Sequence, residues 1–282
     1  MTEEEQAQYD SEYKKLLALF IALLRNLHND QMADSLYALS ELRAEYLITH
    51  AFEGFDIDME EAIQLLKAKN DNTLTEQDRD KTDRLLAAVR NLIEFAVAEE
   101  YQLWTIADEA AGDNDIDFNS EEYDELVDEC ERYNKVYATV ENEDTKYAMA
   151  MASWWIGVGR HDYLMYMTQG DDRVRPWHAA LEGFTARRDD FPSWMIPPIE
   201  WGCRCYLVDM PGDAVQNAAI NLHNVMAKTP EKPPQLNGIF SESVCKCGRI
   251  FSEQHPYFTV NGRHVGMLNE FVEKLKEKWY AE

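Results

Sequence analysis

Apolar residues recur three and four positions apart through most of the first 158 residues, and this spacing predicts helices. Leu16, Leu17, Phe20, Leu23, Leu24 and Leu27 give residues 12–28 a wide apolar face. Met32, Leu36, Leu39, Leu42, Tyr46 and Leu47 continue the pattern over 31–50, towards a glycine stop at Gly54. Asp58 with Glu61 is a capping pair for a short helix through Ile63, Leu65 and Leu66. The longest pattern runs from Thr75 to Gly112, with Leu85, Val89, Leu92, Ile93, Ala96, Leu103 and Ala107 on one side. Ser120 caps a further helix through Leu126, Cys130, Tyr133 and Tyr137, and residues 144–156 add another with Tyr147, Met149, Ala152 and Trp155.

The period changes after Gly157 and Gly159. Residues 163–168, YLMYMT, alternate as a strand, Pro176 suits the first turn of a short helix carrying His178, and 204–209 predict a second strand. A helix over 213–227, a stiff linker at 229–234, a β-like piece from Tyr257 to Val260, an Asn261-Gly262 turn and a helix from Gly266 to Trp279 complete the chain. The fold class that follows is α+β. Residues 1–158 form an acidic helical bundle of about six helices, 159–228 a small α+β domain rich in Cys, Trp and Arg, and 229–282 a linker with a Cys-x-Cys tail and terminal helix.

Charge divides unevenly along this plan. Residues 1–158 hold 37 acidic and 13 basic side chains, so nearly all of the net charge of −26 lies there. Such a surface repels phosphates, so nonspecific DNA binding by the acidic half is not expected. The run from Leu16 to Leu24 imitates a signal core, but it follows an acidic start, ends at Arg25 and falls far short of the about 20 residues a membrane span needs. No membrane role is expected. Five cysteines, mostly in Cys-x-Cys pairs, point to a reducing compartment and cytoplasmic synthesis. The acidic loop Asp113–Asp117 lacks the Gly and Glu of a calcium loop, with Phe118 and Asp124 in their places.

Residues 171–205 are denser in special residues than any other stretch. Asp172, Arg173 and Arg175 lead into His178, Leu181 and Gly183, and then Pro197, Pro198, Trp201, Cys203, Arg204 and Cys205 follow in order. This succession resembles the signature of the phage Mu F-like minor head proteins, the phage head-morphogenesis family. The resemblance implies a minor capsid protein of a tailed phage or prophage, with the portal protein and other capsid proteins as partners. It implies assembly in the host cytoplasm and residence in the virion, in the head interior or near the portal. Packaged DNA stays open as a partner, though not through the acidic half. The resemblance also implies a four-ligand metal site in some members, with cysteines at the positions of Arg175 and His178. The Arg and His found here leave either the tail pair or no metal to complete it.

On an extended backbone residues two apart point the same way, so each Cys-x-Cys can present two sulfurs to one ion. Cys203, Cys205, Cys245 and Cys247 could close a structural zinc site pinning the tail to the signature domain, with His178 and His255 as alternative ligands. The plainer alternative is that the cysteines are small buried hydrophobes. His178 could be oriented by Asp172 or Glu182, either as a structural bond or as a general base. With no nucleophile in a recognisable setting, a non-catalytic protein is expected. The rivals are a metal-dependent hydrolase or toxin-like enzyme using His178 and the cysteines, and a zinc-stabilised adaptor unrelated to virions. Alternating Asp and Arg at 171–175 and 187–190 predict carboxylate–guanidinium clamps.

Overall fold

The structure, a computed structural model, describes residues 2–210, 238–246 and 248–280. It is an α+β fold with a helical N-terminal part. Helix α1 spans Glu3–Arg25, α2 Met32–Phe55, α3 Met59–Lys67 and α4 Glu76–Ala111. Then α5, Glu121–Glu131, passes through a π-helical turn at Arg132–Tyr137 into α6, Ala138–Gly157. Strands β1 (Tyr163–Met167), β2 (Thr185–Arg187) and β3 (Tyr206–Met210) follow, with the one-turn helix α7, Pro176–Ala179, between β1 and β2. The C-terminal helix α8 is Val265–Tyr280. The helix expected at 213–227 and the linker at 229–234 lie outside the described residues. Among the described residues no helix is long and apolar enough to cross a membrane.

The caps explain several boundaries. Thr2 and Glu5 form a reciprocal capping box that starts α1 well before residue 12. The Asp58 carboxylate accepts from the Glu61 amide at 2.8 Å, and Ser120 accepts from the Tyr123 amide at 3.2 Å. Two expectations need correction. The helices expected at 120–137 and 144–156 leave 138–143 unassigned, but those residues are helical, the chain running from α5 through the π turn into α6. The piece at 257–260 is a 3-10 turn, Pro256–Phe258, opened by the His255 side chain accepting from the Tyr257 amide at 3.2 Å. Aromatic and β-branched residues favour strands, but a proline after a side-chain cap starts a turn.

Two compact units share the chain. The first comprises Met1–Ala51, Val89–Glu143 and His255–Glu282. Phe20, Leu23, Leu36, Leu39, Leu47, Leu92 and Ile93 are fully buried in it, and α8 adds Leu268, Phe271, Leu275 and Trp279. Phe271 meets Tyr37 edge-on at 5.4 Å, and Lys278 reaches Glu41 at 3.1 Å. Within this core lies a polar cluster. Arg43, 1% exposed, donates to Glu99 at 2.7 Å, to Asn142 at 3.0 Å and to Glu141. Glu100 and Asn134, equally buried, stand beside it at 3.4 Å from each other.

The second unit comprises Phe52–Ala88 and Asp144–Gln254. Its antiparallel sheet has the order β2-β1-β3, with Leu164 opposite Ala186 and Met165 opposite Val208. Leu164 and Tyr166, two apart on the central strand, share its buried face. Gly54, near the end of α2, lies so close to α6 that a Cβ would fall on the Lys146 carbonyl. Gly54→Ala should therefore destabilise the protein by roughly 2–3 kcal/mol, since backbone rather than a flexible side chain must move. Chemical denaturation would check this, and an unchanged midpoint would refute the close packing.

Candidate functional site

The site grows from one end of the β1–β3 pairing, where Met167 lies opposite Tyr206. After β1 the chain turns through α7, whose first residue is Pro176 and whose His178 is 2% exposed. The turn is tied back to β1, since the Gly183 amide donates to the Tyr166 carbonyl at 2.9 Å and the Tyr166 amide to the Phe184 carbonyl at 2.8 Å. Gly183 takes φ of 83°, a conformation that a side chain resists. On the other side, Gly202 turns the chain into β3 with φ of 64°, its amide donating to both carboxylate oxygens of Asp144 at 2.9 and 3.1 Å. Cys203 and Cys205 then face inwards, 4% and 3% exposed, and Arg204 points away to a two-pronged pair with Asp171 at 2.9 Å per contact.

These two turns bring His178, Cys203 and Cys205 together, with all three ligand atoms within 4.8 Å of one another. The His178 Nδ1 lies 3.3 Å from the Cys205 sulfur and 3.9 Å from that of Cys203. Nitrogen and sulfur on one tetrahedral zinc are about 3.5 Å apart, given bonds of about 2.0 and 2.3 Å, so the spacing suits a shared ion. The other ring nitrogen, Nε2, faces Glu200 at 3.1 Å. A metal-binding imidazole commonly has a carboxylate on its far nitrogen, which fixes its tautomer and orientation. Glu200 also takes the Trp177 indole N–H at 3.1 Å and pairs with Arg175 at 3.1 Å.

Cys205 is held below the ordinary thiol range, first by the hydrogen bond from Cys203 and further by His178 and Tyr166, against the effect of burial. Cys203 is pushed far up because it supplies that hydrogen bond and is buried. A cavity of about 20 Å³ adjoins His178 and Cys205, edged by Arg173, Arg175 and Arg204. That is close to the space of a single water.

The remaining expected ligands are placed elsewhere. Cys245 is buried in a 3-10 turn, Val244–Lys246, outside the three-residue group, and burial pushes its thiol up to about 12. Cys247 lies outside the described residues. His255 belongs to the first unit, where its ring meets Phe95 at 5.0 Å and burial pulls it down to about 4.

Glu200 was not among the partners expected for His178. Asp172 is exposed, and Glu182 bonds to Thr168 instead. Its position within Pro-Pro-Ile-Glu-Trp-Gly-Cys, as the carboxylate inside the signature, was the available signal. Of the other signature residues, Leu181, Pro197 and Pro198 are buried, and Trp201 packs on Phe240 at 5.1 Å and Phe251 at 5.4 Å. Arg175 donates to the Trp201 carbonyl at 2.8 Å, while Arg173 is exposed. Among the described residues Asp171 is clamped by Arg204, which was not among the arginines expected to do so. Arg187 instead lies over Tyr163, and Arg188 over Trp155.

Residues 98–208 match the family model described as Phage Mu protein F like protein. The match begins in α4 and ends in β3, taking in the His178, Cys203 and Cys205 group and extending well upstream of residue 171. The Mu-like prophage FluMu F protein of Haemophilus influenzae is 36% identical over 93 residues, a stretch amounting to 32% of this chain and 20% of that protein. The chain thus spans about a fifth of the length of this relative. No solved structure matches.

Proposed function

We propose that this chain, Mu F-like over residues 98–208, is a non-catalytic minor head protein that joins the capsid and portal of a tailed phage during assembly. The family match carries the reading. The space beside His178, about 20 Å³, is close to that of a single water, which supports a structural role there. Expressed with the head genes of its phage, the tagged chain should sediment with assembled heads and be recovered with the portal. A chain that stays at the top of the gradient while heads form without it would overturn the proposal.

In this reading His178, Cys203 and Cys205 hold a structural zinc ion, and Glu200 orients the imidazole. Bound metal would tie α7 to the turn that leads into β3. A closed structural site takes four protein ligands, and the described residues supply three of them. Chelation, or Cys203→Ser with Cys205→Ser, should remove one metal per chain and lower the melting temperature by roughly 10 °C. That is the scale for losing a ligand worth about 3–4 kcal/mol from a chain of this size. Metal analysis with thermal melts checks it, and a metal-free protein with an unchanged melt would leave the three residues as ordinary buried packing.

A further inference from the structure

We propose that a recess in the second unit, ringed by Arg84, Arg160, Arg188 and Lys246, binds a small tetrahedral oxyanion of the phosphate class. The recess holds about 220 Å³, and its other lining residues include Asp80, Asp189 and Trp155. Four cations therefore face two carboxylates, in a chain whose net charge is −26. The local field is the reverse of the molecule's own.

Arg188 carries the inference furthest. It is 6% exposed, and its guanidinium lies over Trp155 at 5.4 Å. Its Nη1 donates to the Val158 carbonyl at 3.0 Å, while its Nε has no acceptor among the described residues. Asp80 and Asp189 act on it only at longer range. A buried guanidinium ordinarily has a carboxylate against it, because an uncompensated charge out of water is costly. Here that position is left to something else. Lys246, half over the same indole at 6.0 Å, gives hydrogens to the carbonyls of Asp189 and Phe191, so one of its three N–H groups remains. Arg160, at the rim, pairs with Glu76 at 2.8 Å and can close over a ligand by exchanging that exposed partner.

Guanidinium and ammonium donors converging on one recess suit a tetrahedral oxyanion, which accepts from several directions at once. The phosphate could belong to a small molecule or to a nucleic-acid backbone. Charge favours the small molecule, since a duplex brings one negative charge for about every 1.7 Å of its length towards a strongly acidic protein. A single phosphate group meets only the recess.

The test is calorimetric titration of the full-length protein with inorganic phosphate at constant ionic strength, with chloride as control and a short DNA duplex as a second ligand. Phosphate should bind saturably, chloride should not, and the duplex should neither bind nor compete. Arg160→Ala with Lys246→Ala should weaken phosphate binding by about tenfold or more. Arg188→Lys, which keeps the charge but loses the fork, should weaken it as well. Absence of saturable phosphate binding to the unaltered protein overturns the proposal without recourse to variants. Equal binding by a folded double variant would remove the site from this recess, and a duplex that displaces phosphate would transfer the ligand to nucleic acid.

Discussion

Replacing Arg43 with methionine should cost about 3–5 kcal/mol of folding free energy at neutral pH. The side chain is wholly buried and is the cation against which Glu99 and Glu141 are set, with Asn142 completing its donors. Methionine fills much of the volume, so the loss comes from leaving two carboxylates out of water with no positive charge beside them. Folding free energies of whole domains are about 5–15 kcal/mol, so the variant should be visibly close to unfolding. The deficit should shrink in acid, where the carboxylates take up protons. Adding Glu99→Gln and Glu141→Gln should restore a large part of it at neutral pH. Denaturant titrations of the three proteins decide the matter, and an Arg43→Met protein as stable as its parent would show that the cluster contributes little.

The same cluster predicts a pH dependence. Burial, and then the neighbouring Glu99, raise Glu100 from about 4.5 to about 8, against smaller opposing effects of Arg43 and Asn134. Glu141 is raised too, again by burial first and Glu99 next. Glu99, Glu100 and Asn134 each leave a buried oxygen without a donor among the described residues, so a proton on Glu100 adds a donor where acceptors crowd. The folded protein therefore holds a proton that the unfolded chain releases near the ordinary glutamate value. Its stabilising contribution is complete below about 4.5, declines as pH rises, and is gone above about 8. The slope in that window approaches roughly 1.4 kcal/mol per pH unit for one proton. Repulsion in so acidic a chain acts in the same direction, so the informative quantity is the difference from Glu100→Gln, which should lose this slope and be relatively more stable at pH 8. Parallel profiles of the two proteins would mean that Glu100 does not hold the proton.

The cluster also explains where the sequence pattern misled. The apolar pattern stops at Tyr137 and resumes at Tyr147, and between them stand Glu141, Asn142, Glu143 and Asp144. The stretch is helical, and Arg43, about a hundred residues earlier, donates to two of those polar groups, Glu141 and Asn142, inside the core. No local window contains that partner. Ser120 and Asp58 were legible because a cap acts within one turn of its own helix. The three-residue strand β2 was not, being held by its register with β1 rather than by a pattern of its own. At the site, His178, Cys203 and Cys205 were legible by residue type and spacing, while Glu200 needed the fold to place it. Arg188 looked like half of a clamp with the adjacent aspartates, and only the packing of its guanidinium on Trp155 removes it from them.

The placement of α8 bears on how this chain is made. Leu268, Phe271, Leu275 and Trp279 fill the same core as residues near the start of the chain, and the whole of the second unit's Asp144–Gln254 segment intervenes. At about 5–20 residues added each second, roughly 10–40 s pass between the end of α2 and the emergence of those four side chains. Through that interval α4 is available to pack on α1 and α2, but the part of the core that α8 covers, Tyr37 included, stays open. Contacts so distant in sequence form late, after most of the chain has been made.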